Sequence, residues 1–366
     1  MSASRSRIEY LDVIKAIAIS LVVFCHFPKL NDASLVGNLL MTLAWAAVPC
    51  FFLVTGGLLH RSETFDLKKY GKRLLRIYLI YVVWKALYLV YSALGMHISL
   101  TKAGLFNYLF LFGTLENVDT KSLWFMEAYL TVLVLYPVTQ FLFHHGTDGR
   151  KILAAFGGVF AVSEFLLPGL IFVFGWLAET TGHNMPDLEP FRNLLPLTTY
   201  GNMVFFFIAG AYLFAYRDAI ISWLHKSLGH RLLPVLLLVL GLADLLLLKW
   251  MQCGSFRWEG YYLNAGYGYN YFGTLVLSLG LYLLLFQIQK STPLTRFLAG
   301  AVGVNTMGVY FLHYPLLHTI TTVLGDTLAP YASLWLNLVQ CVVVLAVCCV
   351  LTWILKKIPV IRHLVI

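Results

Sequence analysis

The residues best suited to chemistry lie in the first apolar segment of this 366-residue chain, YLDVIKAIAISLVVFCHF, from Tyr10 to Phe27. Within it stand an acid, Asp12, a base, Lys15, and an imidazole, His26. At ~100° per residue, the eleven steps from Lys15 to His26 end about 20° beyond three helical turns, with a rise of roughly 16 Å. Asp12 precedes Lys15 by three residues, so all three share one face of a predicted helix.

Two locations are compatible with this polar face. Ionisable groups within a membrane segment usually face a bundle interior or a water-filled cavity. Alternatively, Lys15 extends toward the lipid headgroups and His26 lies at the opposite interface. A cation in the first turn of a helix opposes the helix dipole, which counts against the second location. We therefore expect Asp12, Lys15 and His26 to line a cavity inside a helical bundle.

The elements that must position these residues are membrane helices. The chain is 60% hydrophobic and 12% charged, with a mean hydropathy of +0.78, about half the charge of a soluble domain. Apolar runs of roughly 20 residues, long enough to cross a bilayer, recur throughout. We predict an all-α, polytopic integral membrane helical bundle of about ten transmembrane helices, near residues 13–28, 38–59, 74–94, 123–143, 152–176, 200–216, 232–250, 271–288, 298–324 and 333–355. It forms a single domain, 1–366, with the bundle at 13–355 and tails at 1–12 and 356–366.

The distribution of basic residues predicts the orientation of the bundle. With the N-terminus in the cytoplasm, eighteen of the 26 Lys and Arg residues fall in inside segments and six fall in outside segments. Cytoplasmic loops carry such an excess, so we expect both termini in the cytoplasm. The net charge of +9 then reflects topology in the lipid bilayer, and we expect no nucleic-acid partner. Five of the six cysteines lie in apolar segments and are interpreted as buried thiols.

Five motifs, in order, resemble the membrane acyltransferase-3 family, bacterial integral membrane O-acyltransferases that modify surface polysaccharides. That family carries a basic residue, usually Arg, ten residues before a His in its first span, as Lys15 and His26 do here. Lys keeps the charge but lacks the planar fork of Arg. The motifs are YLDVIKAIAISLVVFCH from Tyr10, VPCFFLVTGGLL from Val48, KRLLRIYLIYVVW from Lys72, SLWFMEAYL from Ser122 and NTMGVYFLHYPLL from Asn305.

The resemblance implies an O-acyltransferase, most often an acetyltransferase, of the bacterial cytoplasmic (inner) membrane. Its acyl donor would be acetyl-CoA from the cytoplasm, and its acceptor a hydroxyl of a cell-surface polysaccharide, such as lipopolysaccharide, or of a lipid-linked glycan outside. Because an alcohol needs a base to become a good nucleophile, the catalytic candidate is His26, as general base or as a transient acyl carrier. Lys15 would neutralise phosphate or hold the thioester, and Asp12 would fix Lys15 by an ion pair.

The resemblance also implies binding residues. Coenzyme A carries several phosphates, so its site needs a cytoplasmic cluster of donors, for which Arg73 and Arg76 are candidates; anionic headgroups are the alternative partner of this pair. Candidates for acceptor binding come from two spans. They are Trp124 and Glu127, and Tyr310 and His313, with His313 also an alternative base. An aromatic belt for Trp124 and a tolerated proline kink at Pro315 are the structural alternatives.

Two further expectations concern the outer face and the function class. The outer connection CGSFRWEGYYLNAGYGYNYFG, Cys253 to Gly273, is rich in Tyr, Gly and Asn and suits either sugar rings or an interfacial aromatic girdle.

The alternative function is an exporter or polymerase of exopolysaccharide intermediates, for which paired interrupted spans in two related halves would be expected. We expect no metal cofactor. The acceptor sugar and the oligomeric state, a homo-oligomer included, stay open.

Overall fold

The computed structural model describes residues 7–26, 35–193, 199–253 and 268–365, and within them the chain is 83% helical and has no strand. The α-helices are α1 (Glu9–Cys25), α2 (Leu35–Leu43), α3 (Ala47–His60), α4 (Leu67–Ala93), α5 (Lys102–Phe110), α6 (Trp124–His144), α7 (Gly146–Ala161), α8 (Leu167–Thr181), α9 (Glu189–Asn193), α10 (Gly201–Ala215), α11 (Arg217–Leu224), α12 (Leu228–Cys253), α13 (Phe272–Phe286), α14 (Pro293–Phe297), α15 (Thr306–Leu328) and α16 (Leu334–Lys357). The π-helices Val162–Leu166 and Leu298–Gly303 join α7 to α8 and follow α14.

The protein is an all-α, multi-pass membrane protein. In the described ranges, six helical segments are long and apolar enough to cross a membrane, or seven if α10 and α11, bent by 77°, count as one span. Each of the ten predicted segments contains a helix. However, α1 and α13 have only 17 and 15 residues. The helix α15 is likewise not among the six segments. The count of ten therefore stays a prediction.

The short first helix is enclosed by protein. It packs against α3, α13, α15, α16 and the π-helix Leu298–Gly303, and its side chains are buried around most of its circumference, with Leu11, Ile14 and Val23 at most 1% exposed. Gly303 permits a close approach, because a Cβ there would overlap the carbonyl oxygen of Asp12. Since other helices surround α1, its apolar length need not match the thickness of a bilayer.

The peripheral helices carry the apolar surface instead. Only 28% of the most apolar window of α12 is buried, and the same holds for α16, against 67% for the segment Val36–His60 that contains α3. Most of the exposed apolar side chains of α12 and α16 are aliphatic, and they include Leu236, Val239, Leu240, Val339, Val343 and Val350. Such a surface suits acyl chains, which provide no hydrogen-bond partner. Buried polar side chains, among them Asp12, lie in the interior instead.

Two glycines set the distance between α3 and α10. A Cβ added at Gly56 would overlap the carbonyl oxygen of Phe207, and one added at Gly210 would overlap the carbonyl oxygen of Leu53. Small residues let helix backbones approach closely, which is a common basis of packing between membrane helices. This close pair places α3 beside α1 and so helps to define one wall of the interior.

We expect Gly210→Ala to destabilise the protein, because the added methyl group meets backbone rather than a movable side chain. Overpacking of this kind costs about 1–3 kcal/mol of unfolding free energy. Thermal unfolding followed by size-exclusion chromatography in detergent measures it. Gly158→Ala on α7 is the matched control, since no atom lies within 4 Å of its added Cβ. Equal melting temperatures for the two variants would contradict this account of the α3–α10 contact.

Candidate active site

A cavity of about 1170 Å³ runs through the interior beside α1, which is larger than the roughly 300–1,000 Å³ of a typical small-molecule site. Lys15 lies toward one end of its α1 wall and His26 at the other, about 16 Å along the helix axis. These two ends are referred to as the Lys15 end and the His26 end. Seven of the nine predicted site residues line this single cavity, namely Lys15, His26, Arg73, Arg76, Trp124, Tyr310 and His313.

At the Lys15 end, Asp12 holds two basic residues. Its carboxylate forms an ion pair with Lys15, Nζ to Oδ1 2.6 Å, and a second with Arg7. Arg7 also donates to the carbonyl oxygen of Ala299 in the neighbouring π-helix. Asp12 is 6% exposed and does not line the cavity, whereas Lys15 does. The predicted ion pair is therefore present, and it holds Lys15 at the cavity wall; the contribution of Arg7 was not predicted.

Two arginines lie at the mouth of the same end. Arg73 and Arg76 project from α4 onto the cavity and are exposed. Nη2 of Arg73 donates to the hydroxyl of Tyr129, 3.0 Å away, and Nη2 of Arg76 lies 3.4 Å from Nδ1 of His363. A guanidinium has five N–H donors, so both side chains keep donors for an anion. Together with Lys15 they make this end of the cavity electropositive.

At the other end, His26 follows the last turn of α1, and its imidazole has no hydrogen-bond partner among the residues that the structure describes. Its ring centroid lies 5.2 Å from that of His313 and 5.6 Å from that of Tyr314, whose ring stands edge-on to it at 86°. The Tyr314 hydroxyl donates to Oδ2 of Asp119 at 2.5 Å. Neighbouring rings thus hold the position of the imidazole, and no described residue forms a hydrogen bond with its nitrogens.

The second histidine has a defined tautomer. Nδ1 of His313 lies 2.6 Å from the carbonyl oxygen of Tyr310 and 3.1 Å from that of Val309. A carbonyl oxygen only accepts, so this nitrogen carries the hydrogen. Nε2 then has a free lone pair in a neutral ring, and it is buried without a partner in the described part of the chain. His313 therefore presents a basic nitrogen next to His26.

The proline two residues after His313 leaves a backbone carbonyl without its helical donor, and Tyr88 supplies a replacement. Pro315 has no N–H, so the carbonyl of Phe311 lacks its usual partner. The Tyr88 hydroxyl donates to that oxygen at 3.1 Å, and α15 continues from Thr306 to Leu328. Neither Tyr88 nor Phe311 lines the cavity. The opened backbone therefore contacts a neighbouring helix and does not form part of the cavity wall.

The other predicted acceptor-binding residues differ in their access to the cavity. The ring of Tyr310 lines it, but its hydroxyl donates to the carbonyl oxygen of Ser122 at 2.7 Å. Glu127 does not line it; its carboxylate accepts from Tyr81 at 2.7 Å and from Tyr200 at 2.8 Å. Tyr200 does line the cavity. Glu127 thus reaches the cavity through Tyr200, which it orients.

Aromatic rings form much of the wall near the His26 end. Trp124 stacks on Tyr200 with 6.3 Å between ring centroids, and it lies 5.1 Å from Tyr269. Trp45 meets the opposite side of this group, 4.7 Å from Tyr269. Trp124 therefore faces the interior cavity and packs within a group of four rings. Trp45 was not among the predicted site residues, because a Trp in an apolar segment gives no signal that separates core from site.

Two asparagines were also missed. Asn202 and Asn270 line the cavity. Asn202 is the second residue of α10, and Asn270 ends the short 3₁₀ turn before α13, positions where polar residues are ordinary. Asn270 and Tyr269 belong to the described end of the outer connection in which sugar contacts were expected; residues 254–267 of that connection lie outside the described residues. In the described residues, no group of three His, Cys, Asp or Glu side chains could hold a metal ion.

Comparison with protein families gives an independent result. The model of the acyltransferase-3 family, described as an acyltransferase domain, matches residues 8–355, nearly the whole chain. No curated protein and no solved structure shows a significant match. The family match includes every element that lines the cavity, from α1 to α15. The chain therefore belongs to the acyltransferase-3 family, and it is a membrane acyltransferase.

Proposed function

We propose that the protein transfers an acetyl group from cytoplasmic acetyl-CoA to a hydroxyl of an extracytoplasmic glycan, either a surface polysaccharide or a lipid-linked sugar, across a bacterial cytoplasmic membrane. The observation that carries this proposal is one cavity with basic residues at one end and, at the other, the His26 ring and Nε2 of His313, neither of which has a hydrogen-bond partner in the described residues. Its volume is sufficient for parts of two substrates. The acyl group would then travel through the protein, and the glycan would stay on its own side.

The Lys15 end supplies what the donor requires. The pyrophosphate and 3′-phosphate of coenzyme A favour charge-assisted hydrogen bonds from guanidinium groups, and Arg73 and Arg76 offer these at the mouth. Lys15, held by Asp12 at 2.6 Å, extends the positive charge along the cavity. With the phosphates held at this end, the pantetheine arm would extend along α1 toward His26.

The His26 end supplies the base. An imidazole nitrogen accepts the proton of the sugar hydroxyl as its oxygen attacks the thioester carbonyl carbon, forming the new C–O bond. The C–S bond then breaks, and the imidazolium returns the proton to the departing thiolate. His26 is assigned this role because its ring lines the cavity without a hydrogen-bond partner in the described residues. Proton transfer of this kind needs no covalent acyl-histidine.

His313 assists by holding or sharing the proton. Its hydrogen is directed to two backbone carbonyls, so only Nε2 is available on the His26 side. A neutral ring with a lone pair can accept a hydrogen bond from protonated His26 or from the incoming hydroxyl. The ring spacing of 5.2 Å leaves the two imidazoles close enough to act on the same hydroxyl. His313 therefore orients the nucleophile or the base.

The test is transfer of labelled acetyl from acetyl-CoA to membrane glycan, with glycan analysis of cells that have or lack the protein. Loss of the catalytic imidazole in His26→Ala should reduce transfer about 10²–10⁴-fold with normal insertion and stability. His183→Ala is the control, because His183 is exposed and remote from the cavity. Unchanged transfer by His26→Ala would remove His26 from the mechanism, and an exporter would yield no labelled glycan at all.

A second prediction separates the two nitrogens of His313. In His313→Asn the side-chain amide can still donate to the carbonyl oxygens of Val309 and Tyr310, but the Nε2 lone pair is gone. We expect the turnover number for acetyl transfer to fall at least about tenfold, while thermal stability stays closer to wild type than in His313→Ala, which leaves those carbonyls without the donor. Similar activity in His313→Asn and wild type would show that Nε2 takes no part.

A third prediction concerns the donor site. Arg73→Ala should raise KM for acetyl-CoA roughly tenfold through loss of a charged donor, with little change in the apparent affinity for glycan. Lys72→Ala is the matched control, because Lys72 is an exposed neighbour on the same helix that does not line the cavity. If both substitutions raised KM for acetyl-CoA equally, the effect would come from general surface charge, and the donor site at Arg73 would be contradicted.

A further inference from the structure

A polar cluster distinct from the histidines lies at the His26 end of the cavity. Nδ2 of Asn202 donates to Oδ1 of Asn270 at 3.2 Å and is 3.4 Å from the carbonyl oxygen of Tyr269. Nδ2 of Asn270 donates to Oε2 of Glu164 at 2.8 Å. Both amides line the cavity, whereas Glu164 lies behind them. The proposed acyl-transfer chemistry does not use any of these three side chains.

Glu164 determines which way the amides point. Oε2 of Glu164 accepts from the NH₂ group of Asn270, so the Asn270 oxygen faces Asn202 and accepts from its amide. Oδ1 of Asn202 in turn accepts from the backbone N–H of Met203 at 2.8 Å. After these bonds, Asn270 retains one N–H, and each amide oxygen retains one lone pair. The pair therefore offers a donor and two acceptors at the cavity surface.

Burial of the Glu164 carboxyl group costs free energy, and the surrounding backbone makes space for it. It is 4% exposed and lies in the π-helix Val162–Leu166 of a long apolar segment. An acid in such a segment is expensive and is commonly functional, and π-helices frequently occur at functional sites. Gly201 makes room for it, because a Cβ there would be 2.9 Å from the carboxyl carbon and from Oε1. The π-helix Val162–Leu166 thus carries the carboxyl group, and Gly201 of α10 leaves the space that it occupies behind the amides.

The aromatic rings next to this cluster supply apolar surface. Tyr269 precedes Asn270 directly, and the rings of Trp45 and Trp124 lie 4.7 and 5.1 Å from that of Tyr269. Ligand sites combine such apolar and aromatic walls with a few placed polar groups. A pyranose ring has matching chemistry, since it presents C–H groups on its faces and hydroxyls, each a donor and an acceptor, around its edge.

We propose that Asn202 and Asn270, with the adjoining rings of Trp45, Trp124 and Tyr269, form an acceptor subsite that binds one pyranose ring by two neighbouring hydroxyls, and that Glu164 is its positioning residue. The subsite rests on the proposed function, because it places the sugar at the end of the cavity where His26 would remove the proton. Sugar specificity would arise from the pattern of hydroxyls that the amide pair can bind.

The test uses the purified full chain in nanodiscs, labelled acetyl-CoA and a panel of methyl hexopyranosides as acceptors. Asn270→Ala and Asn202→Ala should each raise KM for the best glycoside roughly three- to tenfold. KM for acetyl-CoA should stay at its wild-type value. Glu164→Gln should raise the same glycoside KM without a matching fall in kcat, because a carboxamide no longer dictates the orientation of Asn270. Asn107→Ala, an exposed amide on α5, is the control.

Direct binding separates this proposal from the proposed function. Quenching of tryptophan fluorescence by the methyl glycosides, without acyl-CoA, should occur in the wild type and weaken in Asn270→Ala. If the wild type binds a glycoside in this way but transfers no acetyl, the subsite stands and the proposed function fails. If the variants keep the glycoside KM and quenching of the wild type, or change the KM for acetyl-CoA by the same factor, the subsite is overturned.

Discussion

Polar groups enclosed by apolar helices must find their partners within the protein, because lipid supplies none. Most of the interior follows this constraint. Asp12 is paired with Arg7 and Lys15, and the carbonyl released by Pro315 is bonded by Tyr88. Nε2 of His313 is one of several buried side-chain atoms that have no partner in the described residues, and His313 lines the cavity. At the cavity wall, a bound molecule can supply the missing partner, as a site for a reacting molecule requires.

One helix, α1, carries a functional residue at each end of the cavity. Lys15 and His26 share one face of α1, so their separation follows from the rise of a helix and does not depend on loop conformation. Because protein encloses α1 on most sides, the helix is held in place and both groups are pre-positioned. A binding site built on a rigid element keeps its geometry better than one built on loops.

Hydropathy predicted the helical membrane fold, and residue type and spacing singled out Lys15 and His26. The other five predicted residues of the cavity wall were implied by the family resemblance. Ionisable and aromatic side chains stand out in apolar segments, and helical periodicity places Lys15 and His26 on one face without knowledge of other helices. Contacts between remote segments could not be predicted in this way. The proximity of His26 to His313, and the indirect action of Glu127 through Tyr200, depend on how α1, α6, α10 and α15 pack. The count of ten spans likewise stays a prediction, because hydropathy alone does not separate helices enclosed by protein from helices that face lipid.

The enclosure of α1 also bears on how the molecule assembles. Several neighbours of α1 come from segments that are synthesised much later in the chain. Gly303 lies against the backbone of Asp12, the carbonyl of Ala299 accepts from Arg7, and the thiol of Cys341 approaches the backbone of Ser20. Such pairings have a long sequence separation, which slows folding. Until α14, α15 and α16 have been made, α1 lacks these contacts, and it must wait for them in the bilayer or with the insertion machinery.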